Sequence, residues 1–295
     1  MLDICDDRLV DKNYRYEFYF DCNRCIPNMG SNGMKNILSD GRYFMSSYSI
    51  KHKVRKQMEW MGEKVLHVDD DENTPIVNRL IGNDKVKDYS AEQLLKMEME
   101  YADVRLFGAM DVASKECKIK SPKSGPVTVT PAVTLNPVEI FYGSLSRSYD
   151  IMHDEQDKNM GSRFDNPFWF VEYGLFKVQG GINLKHVKCH GTTMHDLDLF
   201  FEALWNMFEN DSSTLRPMGS MRVRQLTIWE WDPVNSLIGS DINKIIYDEE
   251  RMEFKGLNHH DPERYMEYSS ARSINDYKPY RIPEKINGVR IYTRS

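Results

Sequence analysis

The chain has 295 residues, 40% hydrophobic and 28% charged, with a formal net charge of -6. These values fit a globular chain of one large domain or two small ones with room for a proper core, and exclude a wholly disordered one. No apolar run approaches the roughly 20 residues needed to cross a bilayer, so no membrane partner is expected.

The N-terminus is charged and has no apolar signal core, which makes the cytoplasm the expected location. A negative net charge is unusual for a nucleic-acid binder, but its distribution matters more than its sum. Residues 61–100 hold ten Asp/Glu against five Lys/Arg and residues 230–267 hold ten against four, so the rest of the chain carries a net charge of +5. Acid confined to two segments can face outward, away from phosphates.

In chain order, Tyr14 to Cys22 is aromatic-rich and partly alternating, which predicts a central strand. Residues 23–42 are rich in Asn, Gly and Ser and read as a long loop of the kind that carries function on a rigid strand. Cys22 and Cys25 form a lone C-x-x-C with no second pair, so the five cysteines are expected to be reduced and structural or incidental.

Ser46 or Ser47 can cap the next helix, whose buried stripe would be Ile50, Val54, Met58 and Met61. Lys51, Lys53, Arg55 and Lys56 occupy its other faces with no acid among them. Lys51 and Arg55 lie one turn apart and repel by a few tenths of a kcal/mol, an arrangement that suits a polyanion. Asp69 to Glu72 lacks the spaced ligands and glycine of a calcium loop. Ser90 and Gln93 form a capping box for a helix reaching about Tyr101, so residues 61–102 read as an acidic helical insertion.

From Asp103 to Ile140 the chain is β-branched and interrupted by Pro122, Pro126, Pro131 and Pro137, which predicts polar strand rather than helix. Beside Arg105 it offers a surface for a ligand's backbone. Residues 138–176 read as a protruding hairpin, strand-like at both flanks, with a polar tip holding Arg147, Met152, Met160 and Arg163. An apolar side chain at such a tip can wedge between nucleotides.

Residues 179–182 read as a turn and 182–190 as a strand. His186, His190 and His195 lack an H-E-x-x-H pattern, so no metal is expected. Thr193 and Asp196 have capping-box spacing and open a helix with the apolar stripe Leu197, Phe200, Phe201, Leu204, Met207 and Phe208. Arg216 and Arg222 lie in a loop that enters a strand over 225–231. Residues 233–295 read as polar and irregular. The sum is an α+β chain: a single ferredoxin-like (RRM-like) domain over 1–295 with a helical insertion and a protruding hairpin, a frame also used as an RNA platform.

Several blocks carry a resemblance. Asp103-Val104-Arg105-Leu106-Phe107-Gly108-Ala109, then Gly125-Pro126-Val127, then Pro137-Val138-Glu139-Ile140 stand in the order found in the backbone subunit of type I CRISPR surveillance complexes. The subfamily is that of the type I-B and I-C effectors. Tyr173-Gly174-Leu175-Phe176 and the helix from Gly191 to Asp211 resemble further family segments. Ser46 through Arg55 resembles its basic helix, with His52 in place of an arginine. The family's Asn-Pro-Asn-Gly loop is reduced to Pro27 and Asn28.

The resemblance implies a non-catalytic subunit without cofactors. Copies of it would line up as a helical filament along one crRNA and present it for pairing with target DNA. Other effector-complex subunits and a recruited nuclease-helicase would be its partners. It implies guide-phosphate contacts by Lys51, Lys53 and Arg55, with Arg105, Arg216 and Arg222 behind them, and further RNA contacts by Asn28, Ser47 and Arg147. Met160 or Met152 would be the thumb wedge, and the salt slope of binding should be roughly 0.7 per phosphate.

Reversing both Lys51 and Arg55 to Glu is expected to abolish RNA-dependent assembly and leave the monomer folded. Two rivals remain open. One is an endoribonuclease using a hairpin carboxylate such as Asp150, Asp154 or Asp165. The other is an RNA-free interaction or decoy protein.

Overall fold

The protein is described from a computed structural model, over residues 7–30, 34–68, 76–82, 84, 88–108, 124–145, 166–234, 242, 271–277 and 286–295. The elements in chain order are β1 (Asn13–Cys25), β2 (Phe44–Met45), α1 (Ser47–Trp60), α2 (Ile76–Ile81), α3 (Ala91–Glu98) and α4 (Ala102–Phe107), then β3 (Val127–Val129), β4 (Ala132–Thr134), β5 (Ile140–Leu145) and β6 (Asn166–Ile182), and finally α5 (Leu184–His190), α6 (Met194–Asn206), β7 (Met221–Trp231) and β8 (Val289–Arg294). The class is α+β.

The described strands form one antiparallel sheet, ordered β2-β4-β6-β1-β7-β8, with β3 and β5 also paired to β6. β1 is central, as its aromatic content predicts. It pairs with β6 from Tyr14↔Ile182 to Cys25↔Val171 and with β7 from Asn13↔Trp231 to Cys22↔Met221, through a register shift at Tyr19/Phe20.

One face of the sheet packs on the helices. Tyr16, Phe18 and Phe20 of β1 join Ile50, Val54 and Met58 of α1 and Leu197, Phe200 and Leu204 of α6 in the main core. Tyr16 meets Phe200 and Phe201 edge-on at 5.5 and 5.7 Å, and Phe20 stacks on Phe176 at 4.7 Å. Each large apolar side chain removed from water here contributes about 2–3 kcal/mol. The α6 stripe is buried as its periodicity predicts, and Thr193 and Asp196 form the expected capping box. In α1, Ser46 is the cap and Ile50, Val54 and Met58 are buried, but Met61 is the C-cap residue and is exposed.

Four sequence expectations change. Asp103 to Phe107 is helical: α4 precedes the proline-rich run and is stopped by Gly108 at φ +81°. The 179–182 turn is strand, because β6 continues to Ile182. Its glycines serve close approach, since a Cβ on Gly180 would lie 2.2 Å from both the Thr128 carbonyl oxygen and the Tyr16 hydroxyl. Residues 184–190 are the helix α5, capped by Asn183 and closed by left-handed Gly191. Within the expected irregular C-terminal segment, β8 pairs with β7.

The sheet face away from the helices is also covered. Tyr19, Tyr173 and Leu175 pack with Ala271 and Tyr277, and Trp229 and Trp231 pack with Ile242. Buried Glu17 and Asp21 lie on this side, held by Lys177 at 3.3 Å and Arg224 at 2.7 Å. Burial raises the Asp21 pKa even with Arg224 beside it. Among the described residues, no helix is long and apolar enough to cross a membrane.

Candidate nucleic-acid interface

A polyanion needs cations that are reachable and not already neutralised. The first question is therefore where each basic side chain finds its charge partner. Helix α1 brings out the difference. Ser46 accepts from the Ser49 amide at 3.2 Å, and Ser47 opens the helix behind it. Lys53, 4% exposed, points inward and pairs with Asp211, which also lies 3.2 Å from the Arg216 guanidinium. Burial pulls the Lys53 pKa down, and Asp211 opposes that pull.

Arg55 donates to Asp103 of α4 at 3.1 Å and stacks over Phe107 at 5.0 Å. Asp103 is fully buried and also accepts from the Leu66 and His67 amides at 2.8 and 3.1 Å and contacts the His67 ring at 2.8 Å. Burial disfavours its charge, yet the His67 contact, the Leu66 amide and Arg55 hold its pKa below the usual carboxylate value.

Arg105 is equally engaged. Its Nε and Nη2 donate to the fully buried Asp196 carboxylate at 2.9 and 2.6 Å, and its Nη1 donates to the Met99 carbonyl at 2.9 Å. Its own carbonyl accepts from Thr192 at 2.7 Å. Burial opposes the charge, but Asp196 overrides it and raises the pKa. Arg105 thus ties α4 to the first turn of α6. The structure gives Lys53, Arg55, Arg105 and Arg216 partners inside the fold, and a phosphate would have to break those pairs to reach them.

Two expected contacts stand apart. Lys51 is half-buried, with its ammonium 5.2 Å from the Phe107 ring and no carboxylate partner among the described residues. Burial, then repulsion from Arg55, lowers its pKa. Arg222 is exposed at the start of β7. Asn28 uses its carbonyl to accept from Tyr43 at 2.5 Å, while its side-chain oxygen is buried without a partner. Arg147, Met152, Met160, Arg163 and the carboxylates Asp150, Asp154 and Asp165 lie outside the described residues.

Of the three histidines, His186 contacts the Ser124 carbonyl at 2.6 Å, buried His190 the His186 carbonyl at 2.9 Å, and His195 lies 3.5 Å from Glu63. Among the described residues, no group of three His, Cys, Asp or Glu is placed to hold a metal. Cys22 and Cys25 are buried free thiols.

The local pattern passed over a second cationic feature. Lys35, in the loop after β1, donates to the Tyr142 hydroxyl at 2.6 Å and lies 3.9 Å from that ring's centroid. The signal was the adjacent Phe141-Tyr142 pair at the start of the hairpin, where two neighbouring aromatics on one strand must face opposite sides.

A model of the family described as CRISPR-associated protein Cas7 matches residues 12–279. The chain belongs to that family. The Cas7 match spans every described element from β1 to the short turn before Tyr277. No curated protein matches the chain. Among solved structures, one titled "CRISPR RNA-guided surveillance complex, pre-nicking" is similar at 16% identity and a TM-score of 0.47, covering 74% of this chain and 75% of its own. Another, "CRISPR RNA-guided surveillance complex", has 16% identity and a TM-score of 0.46, covering 74% of this chain and 68% of its own.

Proposed function

We propose that this Cas7-family chain is a crRNA-binding backbone subunit of a CRISPR surveillance complex. Copies of it line up along one guide, hold the ribose-phosphate strand and leave the bases free to pair with target DNA. The observation that carries the reading is the family match over residues 12–279. The role is non-catalytic, with cleavage left to a recruited nuclease-helicase, and its seat is cytoplasmic. The branch whose sequence blocks the chain resembles is that of the type I-B and I-C effectors.

The architecture in this reading is a ferredoxin-like core, β1-α1-β4-β6-α6-β7, in which β1 lies between β6 and β7. The hairpin rooted in the pairing of Ile140–Leu145 with β6 is the thumb. The RNA path does not use the helix-free face of the sheet, because aromatic packing and buried carboxylates already fill it. It runs along the exposed edge of α1, with Lys51 as the leading phosphate contact. Lys51 is suited to this because an approaching phosphate would relieve its repulsion from Arg55.

The test is purification after co-expression with a guide array, reading the ratio of absorbance at RNA and protein wavelengths. RNA should co-purify with the unaltered chain. Lys51→Glu should lose much of it and lower the salt slope by about 0.7. Unchanged retention and slope in Lys51→Glu would remove Lys51 from the path. RNA-free protein under every condition would overturn the whole reading. Incubation with a paired RNA target and magnesium should yield no regularly spaced cuts.

A further inference from the structure

We propose that Lys35 and Tyr142 form a nucleotide-stacking site at the root of the β5–β6 hairpin, one that takes a base of single-stranded RNA on the open face of Tyr142 and its phosphate on Lys35. This rests on the RNA-binding reading above and adds residues outside the α1 path.

Tyr142 is 65% exposed, a large ring to leave in water on a strand. Its cross-strand partner is Trp169, which is 9% exposed and packs on buried Tyr43 at 6.2 Å. The ring therefore stands on the core through a rigid base. Lys35 covers part of one side, with its ammonium 2.6 Å from the hydroxyl, 3.9 Å from the Tyr142 centroid and 5.6 Å from the Trp169 ring.

The Lys35 loop is itself fastened. The Phe44 amide donates to the Asn36 carbonyl at 2.8 Å, and Ile37 bridges to Tyr43. Among the described residues no carboxylate pairs with Lys35, in contrast to Lys53, Arg55 and Arg105. One N–H of its ammonium is used on Tyr142, and the others are available for a phosphate oxygen. An exposed aromatic face beside an uncompensated cation is the combination that single-stranded nucleic acid recognises without regard to sequence. A purely apolar partner surface would leave that ammonium without an acceptor.

The experiment compares binding of the full chain to a single-stranded RNA oligonucleotide and to a ribose-phosphate oligomer of equal length that lacks bases. Tyr142→Ala should weaken RNA binding by about tenfold and leave the abasic oligomer unaffected. Tyr142→Phe should behave as the parent, since the stacking face is kept. Lys35→Gln should weaken both ligands and lower the salt slope by about 0.7. Circular dichroism checks the fold, and Tyr142→Leu repeats the test with strand apolarity retained.

If the parent binds RNA and both Tyr142→Ala and Tyr142→Leu bind it equally well, the stacking site is overturned while the RNA reading stands. Reduced self-association of those variants without RNA, with RNA affinity unchanged, would instead assign Tyr142 to a contact between copies and also overturn the proposal. A parent that binds neither ligand takes both readings down.

Discussion

Two groups of cations in this molecule look alike in sequence and differ in what meets them. Lys53, Arg55 and Arg105 are each met by a carboxylate from a distant part of the chain: Asp211 of the loop after α6, Asp103 of α4 and Asp196 of α6. Lys51 and Lys35 lie at the margins and are met by aromatic rings instead, Phe107 at 5.2 Å and Tyr142 at 3.9 Å. A buried charge left alone is costly, so the first group must be neutralised within the chain to let the helices close. The second group keeps enough exposure to survive without an acid, and so remains open to a phosphate. Exposure and partner, more than residue type, divide scaffold from interface.

The sharpest way to break this division is to reverse a charge in the first group. Arg55→Glu places a carboxylate against fully buried Asp103 and removes the cation that Asp103 accepts from. The expected result is a chain that does not fold, read as loss of soluble monomer or of a cooperative thermal transition. This revises the expectation that the Lys51/Arg55 double reversal spares the fold. A folded Arg55→Glu monomer would return Arg55 to the interface group.

Arg105→Ala comes next. It strands Asp196 at the N-terminal turn of α6 and should cost about 3 kcal/mol in urea unfolding, with RNA retention lost only in proportion to unfolded protein.

Asp103→Asn should cost less, about 2 kcal/mol at neutral pH, because the Leu66 and His67 amides donate to different carboxylate oxygens and the one amide oxygen of Asn still serves one of them. Its pH dependence has a definite sign. The folded-state pKa of Asp103 is lowered, so the carboxylate stabilises the fold fully above the ordinary Asp value. That stability fades as pH falls through the lowered value. The gap between parent and Asp103→Asn, followed by denaturant melts, should therefore close in acid. A gap that is constant with pH would mean that the substitution acts through packing and not through charge.

The sequence makes the helices legible and hides their pairings. The α6 stripe and its capping box can be read locally, because cap and stripe recur within one or two turns. The same holds for Ser46 and the buried residues of α1. What a local reading cannot see is that the acids answering the α1 and α4 cations lie 158, 48 and 91 positions away. "No acid among them" is true of residues 51–56 and false of their surroundings.

Gly180 and Gly181 mislead for a different reason. Glycine signals both a turn and a close approach, and only the Tyr16 hydroxyl donating to the Thr128 carbonyl at 2.7 Å, beside Gly180, tells which applies. Strand β8 was hidden by the polar segment before it, although Val289, Ile291 and the tyrosine between Ile291 and Thr293 give it an edge-strand character.

The smallest expected effect is also the most diagnostic. Lys51 sits one turn from Arg55, with burial and that neighbour both depressing its pKa. Lys51→Gln removes a like-charge pair and should raise the stability of the free protein by a few tenths of a kcal/mol. Because the folded-state pKa is lowered, the unfolded chain binds this proton more tightly than the folded one. Parent stability should therefore rise as pH climbs from the lowered value toward the ordinary lysine value, and the advantage of Lys51→Gln should shrink over that same interval. RNA retention should move the opposite way and fall in Lys51→Gln at neutral pH. A scaffold lysine would lose stability and RNA together. A gain in stability with a loss of RNA is the pattern that only a cation held ready for an outside anion produces.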